Sequence, residues 1–361
     1  MSRTAFVPPG LIVGCLLLIS VVGCRKDPPP LNTELLPKIV LVTSGIDSDL
    51  DKSIRLRFEA HQNLNQTKYR ASVMVPAGTT PEEIATSQTS EIKKLTDDGV
   101  DAILLIPGKD EQLVNALVAA TEKKVAVVTL GREIDSELLT KSGLKLTHVG
   151  IPLNKEVHRL TEQLIKFTPE NRQICIVGLS DNQDFSMLQQ EFAESLAETQ
   201  WQIVLAEQIT LETGPRAVDV AQSRIKAILE EHSDISALFC CDFNSALGAL
   251  NALSESKASA RVAVVCIANN RTYSLLLDAG ADVIGVLHYD HLAVSGIDMA
   301  LREIAGGTNT GTGSQVALPI EVIQGSSFEA KLKKQSPTTS EKKGTVASET
   351  GGNKESSQSA E

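Results

Sequence analysis

Aromatic residues are scarce in this chain: they make up 3% of its 361 positions, with one tryptophan and three tyrosines. The core must therefore be filled by Leu, Ile, Val and Ala, and sites built from stacked rings have little material. Histidine is also rare, at six. Familiar catalytic signatures are missing: there is no G-x-S-x-G elbow, no Walker loop, no H-E-x-x-H and no G-x-G-x-x-G after a strand. The Gly-rich GGTNTGTGS from Gly306 follows a helical stretch instead of opening one, which reads as a connection and not a phosphate cradle. The chain is therefore read as a non-enzyme without a cofactor. A basic excess is lacking too: 34 Lys and Arg stand against 45 Asp and Glu, a net charge of −11, which argues against nucleic acid as a partner.

Six cysteines are present, with no C-x-x-C spacing among them. Cys175, Cys240, Cys241 and Cys266 lie in or at the ends of apolar β-type runs and are expected to be buried small hydrophobes. Cys240 and Cys241, as neighbours, should face opposite sides of a strand. The remaining two are N-terminal. Arg3 and a Val-Pro-Pro-Gly turn precede an apolar segment from Leu11 to Val22, short of the roughly 20 residues of a membrane span but suited to an export signal. Val21-Val22-Gly23-Cys24 resembles a bacterial lipobox, which makes Cys24 the expected lipidation site. Residues 1–24 are thus read as a lipoprotein signal peptide. Residues 25–36, with Arg25, Lys26 and Pro28-Pro29-Pro30, are read as a stiff, solvated tether. The expected location is extracytoplasmic, lipid-anchored to the membrane and facing the periplasm or cell exterior.

Beyond the tether, short apolar runs alternate with amphipathic stretches. KIVLVTS, RASVMV, AILLIP and VAVVTL are separated by helical patterns, among them one opening at Pro81 with Thr80 as N-cap and one over Asp110 to Thr121. The rhythm restarts at THVGI and continues through ICIVGL, QIVLAE, SALFCC, RVAVVCIA and DVIGVLHY. Such alternation implies parallel strands with helical crossovers, and unbroken apolar strands imply helices on both sheet faces. The parse is an α/β chain of two tandem halves. From Ser326 to Glu361 the composition turns to Ser, Thr, Lys, Glu and Gly without apolar period, and this tail is expected to be disordered.

In open α/β sheets ligands sit beyond the carboxyl ends of strands. The candidates by that rule are Ser44 to Leu50, Pro107-Gly108, Gly131-Arg132, Ser180 to Ser186, Asp242 to Asn244, Ala268 to Asn270 and His288. His288-Tyr289-Asp290-His291 offers two imidazoles and a carboxylate. No second His cluster accompanies it, so a hinge or pocket role is expected and not a metal site.

The stretches GVDAILLIPGKDEQLVNAL, VAVVTLGREI, THVGIPLNKEV, ALFCCDFNSALGALNAL and VAVVCIANN to GVLHYDHLAVSGIDMAL resemble the ribose-type (type I) periplasmic substrate-binding proteins over about residues 37–323. The resemblance implies two doubly wound parallel-sheet lobes joined by a three-strand hinge. Residues 37–149 plus 289–313 would form the N-terminal lobe and 150–288 plus 314–325 the C-terminal lobe, with the last crossing near Gly313 to Val316. It implies an inter-lobe cleft whose ligand contacts fall here on Asp47, Asp49, Arg132, Ser186, Asp242, Asn269 and His288. Family aromatics after the first strand are replaced by Asp49 and Leu50, and of an Asp-Arg pair only Arg132 persists. The three acids favour a polar or cationic solute. The implied role is capture of a small polar, sugar-like ligand for an ABC permease by a monomeric lipoprotein. Signalling to a membrane sensor, or a degenerate member without a ligand, are the alternatives.

Overall fold

The computed structural model describes residues 35–46, 48–108, 110–180, 184–211, 216–256, 261–306 and 313–335. Cys24, tether residues 25–34, Asp47 and residues 336–361 lie outside the described residues.

The first half alternates strand and helix as its periodicity predicts. β1 (Lys38–Val42), β2 (Arg70–Met74), β3 (Ala102–Leu105), β4 (Ala126–Leu130) and β5 (Thr147–Gly150) are linked through α1 (Asp49–Leu64), α2 (Pro81–Asp97), α3 (Asp110–Glu122) and α4 (Ser136–Ser142). Thr80 caps α2 in a reciprocal box: its hydroxyl accepts from Glu83 N at 3.2 Å while Glu83 Oε2 accepts from Thr80 N at 3.4 Å. The second half repeats the plan with α5 (Leu153–Ile165), β6 (Gln173–Leu179), α6 (Phe185–Leu196), β7 (Gln202–Ile209), α7 (Ala217–Glu231), β8 (Ala237–Cys240), α8 (Phe243–Glu255), β9 (Ala263–Asn269), α9 (Tyr273–Asp278) and β10 (Val283–Leu287). The chain ends with α10 (Tyr289–Gly306), β11 (Gln315–Ala317), β12 (Glu321–Gln324) and α11 (Ser326–Gln335).

Two six-stranded sheets result, ordered β11-β5-β4-β3-β1-β2 and β12-β10-β9-β8-β6-β7. Every pairing is parallel except β10 with β12. Each sheet carries one apolar cluster on each face. Successive residues of a strand point to opposite faces. Cys240 accordingly joins one cluster of the second sheet and Cys241 the other. All four of these cysteines are buried and none is in a disulfide, and burial pushes the Cys175 thiol up to about 12.

The chain crosses between lobes three times. The first crossing is at Ile151-Pro152, after β5 and before α5, which packs on β10. The second is at His288, because α10 packs back on β3, β4, β5 and α1. The third differs from expectation. β11 pairs with β5 through Gln315↔His148, Val316↔Val149 and Ala317↔Gly150, so residues 314–317 belong to the first lobe and the crossing falls between Ala317 and Glu321. Three residues are too short to announce themselves by pattern, and the pairing with β5 decides their lobe.

The tail reading also needs correcting at its start. Residues 326–335 form α11, docked by Phe328, which is fully buried in the second lobe's core beside Phe167. Lys331 Nζ reaches Asp282 Oδ2 and the Val262 carbonyl, both at 2.7 Å. Gly325 permits the approach: a Cβ there would collide with the Ala281 carbonyl. Phe328, Leu332, Ser327 and the Lys331 ammonium carry this docking, too short a pattern to announce a helix in a polar stretch.

Candidate ligand-binding cleft

The carboxyl ends of the strands in both sheets lead into loops that meet between the lobes. On the first lobe the post-β1 loop is fixed from below. Ser44 N and Ser44 Oγ each donate to Asp51 at 2.8 Å, and Ser48 Oγ donates to Asp51 Oδ2 at 2.8 Å. Burial raises the Asp51 carboxyl above its ordinary range, and the Ser44 and Ser48 bonds and Arg55 pull it back. Gln88, fully buried, ties two rim loops together by donating to the Thr43 and Ile106 carbonyls at 2.6 and 2.8 Å and accepting from Gly108 N at 3.0 Å. Neither Asp51 nor Gln88 stood out in the sequence, since both lie on helices away from strand ends.

Arg132 is presented by a left-handed turn. Gly131 has φ +74°, and a Cβ there would lie 3.0 Å from Leu50 Cδ1. A side chain would be both strained and crowded. Arg132 and Asp184, on opposite lobes, are both solvent-exposed; the protein packed around Asp184 raises its carboxyl above the ordinary value, and the Arg132 guanidinium opposes that rise. Asp184 is the N-cap residue of α6, which places exposed Ser186 in the same turn.

The second link between lobes is direct. Asn269, 6% exposed at the end of β9, donates from Nδ2 to Asp49 Oδ2 at 2.7 Å. Its amide orientation is set, because Oδ1 accepts from Arg271 N at 2.9 Å and Thr272 Oγ1 at 3.1 Å. Asp49 and Asn269, both candidates at strand ends, are thus brought together from positions 220 residues apart.

Tyr289 lies at the back of this arrangement. It packs against the cores of both lobes, as does Ile151, so these two residues form the apolar floor at the hinge. Burial pushes the Tyr289 phenol well above its ordinary range, and the Asp184 and Asp49 charges add to the effect. Tyr289 therefore titrates within the field of one acid from each lobe. The motif reading pointed to its histidine neighbours and passed it over.

The remaining candidates are differently placed. Asp242 accepts from Ser245 N and Leu179 N, each at 2.8 Å, so both its oxygens already cap α8 and hold the end of β6. His288 stacks on His291, centroids 4.8 Å apart at 10°, and its Nε2 lies 3.2 Å from Glu321 Oε2.

Comparison with known proteins agrees with this architecture. Residues 59–308 match the model of the periplasmic binding protein domain. The D-ribose/D-allose-binding protein of Pseudomonas aeruginosa is 23% identical over 274 residues, covering 75% of this chain and 83% of that protein. An ABC transporter periplasmic solute-binding protein from Actinobacillus succinogenes, solved with bound D-allose, superposes with a TM-score of 0.65 at 17% identity, covering 82% of this chain and 99% of that one. A periplasmic ribose ABC transporter protein from Conexibacter woesei gives 0.65 at 17% identity, covering 82% and 95%. With two α/β lobes, three crossings and a family match over most of the folded body, this chain belongs to the periplasmic binding protein family and carries its type I, ribose-type fold.

Proposed function

We propose that this protein captures a small polar solute, a sugar or sugar-like molecule, between its lobes and presents it to an ABC importer from the extracytoplasmic side, tethered through lipid on Cys24. The observation that carries the reading is the polar contact where the lobes meet, Asn269 Nδ2 on Asp49 Oδ2 at 2.7 Å. Groups that bond across an interface can also bond to hydroxyls placed between them, and closing the lobes excludes water that would compete. The named relatives, one binding D-ribose or D-allose and one solved with D-allose, support a carbohydrate class.

In this proposal Asp49, Arg132, Ser186 and Asn269 touch the solute, joined by Asp184 and Tyr289. Asp47 is kept as a candidate on its sequence position alone, two residues before Asp49. Asp242 acts by holding α8 and the end of β6. His288 contributes to the hinge. One phenol at the floor provides less ring surface than a two-sided sandwich, so recognition rests mainly on charge-assisted hydrogen bonds.

The test is thermal unfolding against pentoses, hexoses, amino-sugars and polyols. A bound solute at about 100 times its Kd adds about 2.7 kcal/mol to the native state and raises Tm. Arg132→Ala should erase that rise while leaving the ligand-free Tm unchanged. A full panel without effect, or a rise that survives Arg132→Ala, would overturn the proposal or remove Arg132 from it.

A further inference from the structure

We infer that His288, Asp290 and His291, completed by Glu321, form a binding site for a divalent transition-metal ion of the zinc type at the hinge. One ligand atom from each of the first three residues lies within 4.8 Å of the others. The tertiary fold supplies a fourth group that sequence proximity hides: Glu321 Oε2 stands 3.2 Å from His288 Nε2. Zinc–nitrogen and zinc–oxygen bonds of about 2.0–2.2 Å in a tetrahedron place ligand atoms roughly 3.3–3.6 Å apart. The His288–Glu321 separation of 3.2 Å lies just under this range, and the trio's own separations, 4.0 Å between His291 Nε2 and Asp290 Oδ2 and up to 4.8 Å overall, close by side-chain rotation when an ion binds.

The imidazole rings stack at 10° with centroids 4.8 Å apart, so their in-plane nitrogen lone pairs run nearly parallel and one ring must turn out of the stack for both to bind one ion. Two further features suit an ion. Asn270 Nδ2 donates to Asp290 Oδ1 at 2.8 Å, an outer contact that fixes the carboxylate and leaves Oδ2 for the ion. His291 and Glu321 are each 59% exposed, which gives entry from solvent, while His288 and Asp290 are at 22% and 27% and better held. Two neutral imidazoles with two carboxylates balance a divalent charge. Imidazole favours zinc, nickel or copper over magnesium and calcium. Arg57 and Arg271, which line a cavity of about 230 Å³ beside Asp290, oppose a cation, so the imidazoles and Glu321 carry most of the binding.

Position gives the site a consequence. His288 is the second crossing between the lobes, and Glu321 opens β12 directly after the third. An ion shared between them links two of the three hinge segments.

The experiment is calorimetric titration of the chelator-treated full chain with Zn²⁺, with Mg²⁺ as control. Expected is one Zn²⁺ per chain and no Mg²⁺ uptake. His288→Gln and His291→Gln should each weaken Zn²⁺ binding at least about tenfold, the loss that even outer-shell changes produce. Glu321→Gln should weaken it less, and circular dichroism should show each variant folded. No Zn²⁺ uptake by the unaltered protein, or uptake that persists in the folded double histidine variant, would overturn the assignment.

Discussion

Replacing Lys331 by methionine should destabilise the second lobe through a single lost ion pair. Asp282 is fully buried, and its Oδ2 accepts from Val264 N at 2.8 Å and Lys331 Nζ at 2.7 Å, while its Oδ1 has no hydrogen-bond partner. Lys331 is itself only 10% exposed in its side chain. Removing the ammonium leaves a carboxylate in the core with one backbone donor. Breaking such a buried pair costs about 3–5 kcal/mol, and the sliver of solvent at Lys331 argues for about 3. With a urea dependence of roughly 3 kcal/mol per molar, the unfolding midpoint should fall by about 1 M. Asp282→Asn in the Lys331→Met background should recover part of the loss, because no uncompensated charge then remains, and the double-mutant cycle isolates the coupling. Equilibrium unfolding followed by the fluorescence of Trp201, buried beside Phe167 in the core that α11 covers, reads the lobe directly. A midpoint that does not move in Lys331→Met would refute the account of α11 as an integral part of the fold.

His148, 6% exposed with Thr129 Oγ1 2.9 Å from Nδ1, is held below its ordinary pKa by burial, against an opposing pull from Glu133. The unfolded chain therefore takes up a proton before the folded one does, so His148's contribution is full above about pH 6.5 and is lost as pH falls below that value. His148→Gln should flatten the slope of stability between pH 7 and 5, and an unchanged slope would assign it elsewhere. Gly131→Ala forces a Cβ into a left-handed turn 3.0 Å from Leu50 Cδ1, which should cost about 1–3 kcal/mol and displace Arg132. Denaturation together with solute affinity checks this: both should fall, and a variant of undiminished stability would remove the strain argument.

Apolar period and turn residues made each long strand and helix legible, because these depend on neighbours within a few positions. ICIVGL needed nothing beyond its own residues to read as a buried strand, nor did the stretch after Thr80 to read as a capped helix. The rule that ligands gather at strand ends drew attention to Asp49, Arg132 and Asn269 as candidates. Their pairings were a different matter. Asn269 meets Asp49 from 220 positions away, and Arg132 acts on Asp184 across a gap that exists only once both lobes have formed. The same distance hid Glu321 from His288, β11 from β5, and Lys331 from Asp282. In each case one to three residues make the contact, so no repeating pattern marks it. Local periodicity settles which segments become strands and helices, while the choice of partners for single side chains belongs to the folded arrangement that brings distant segments within bonding reach.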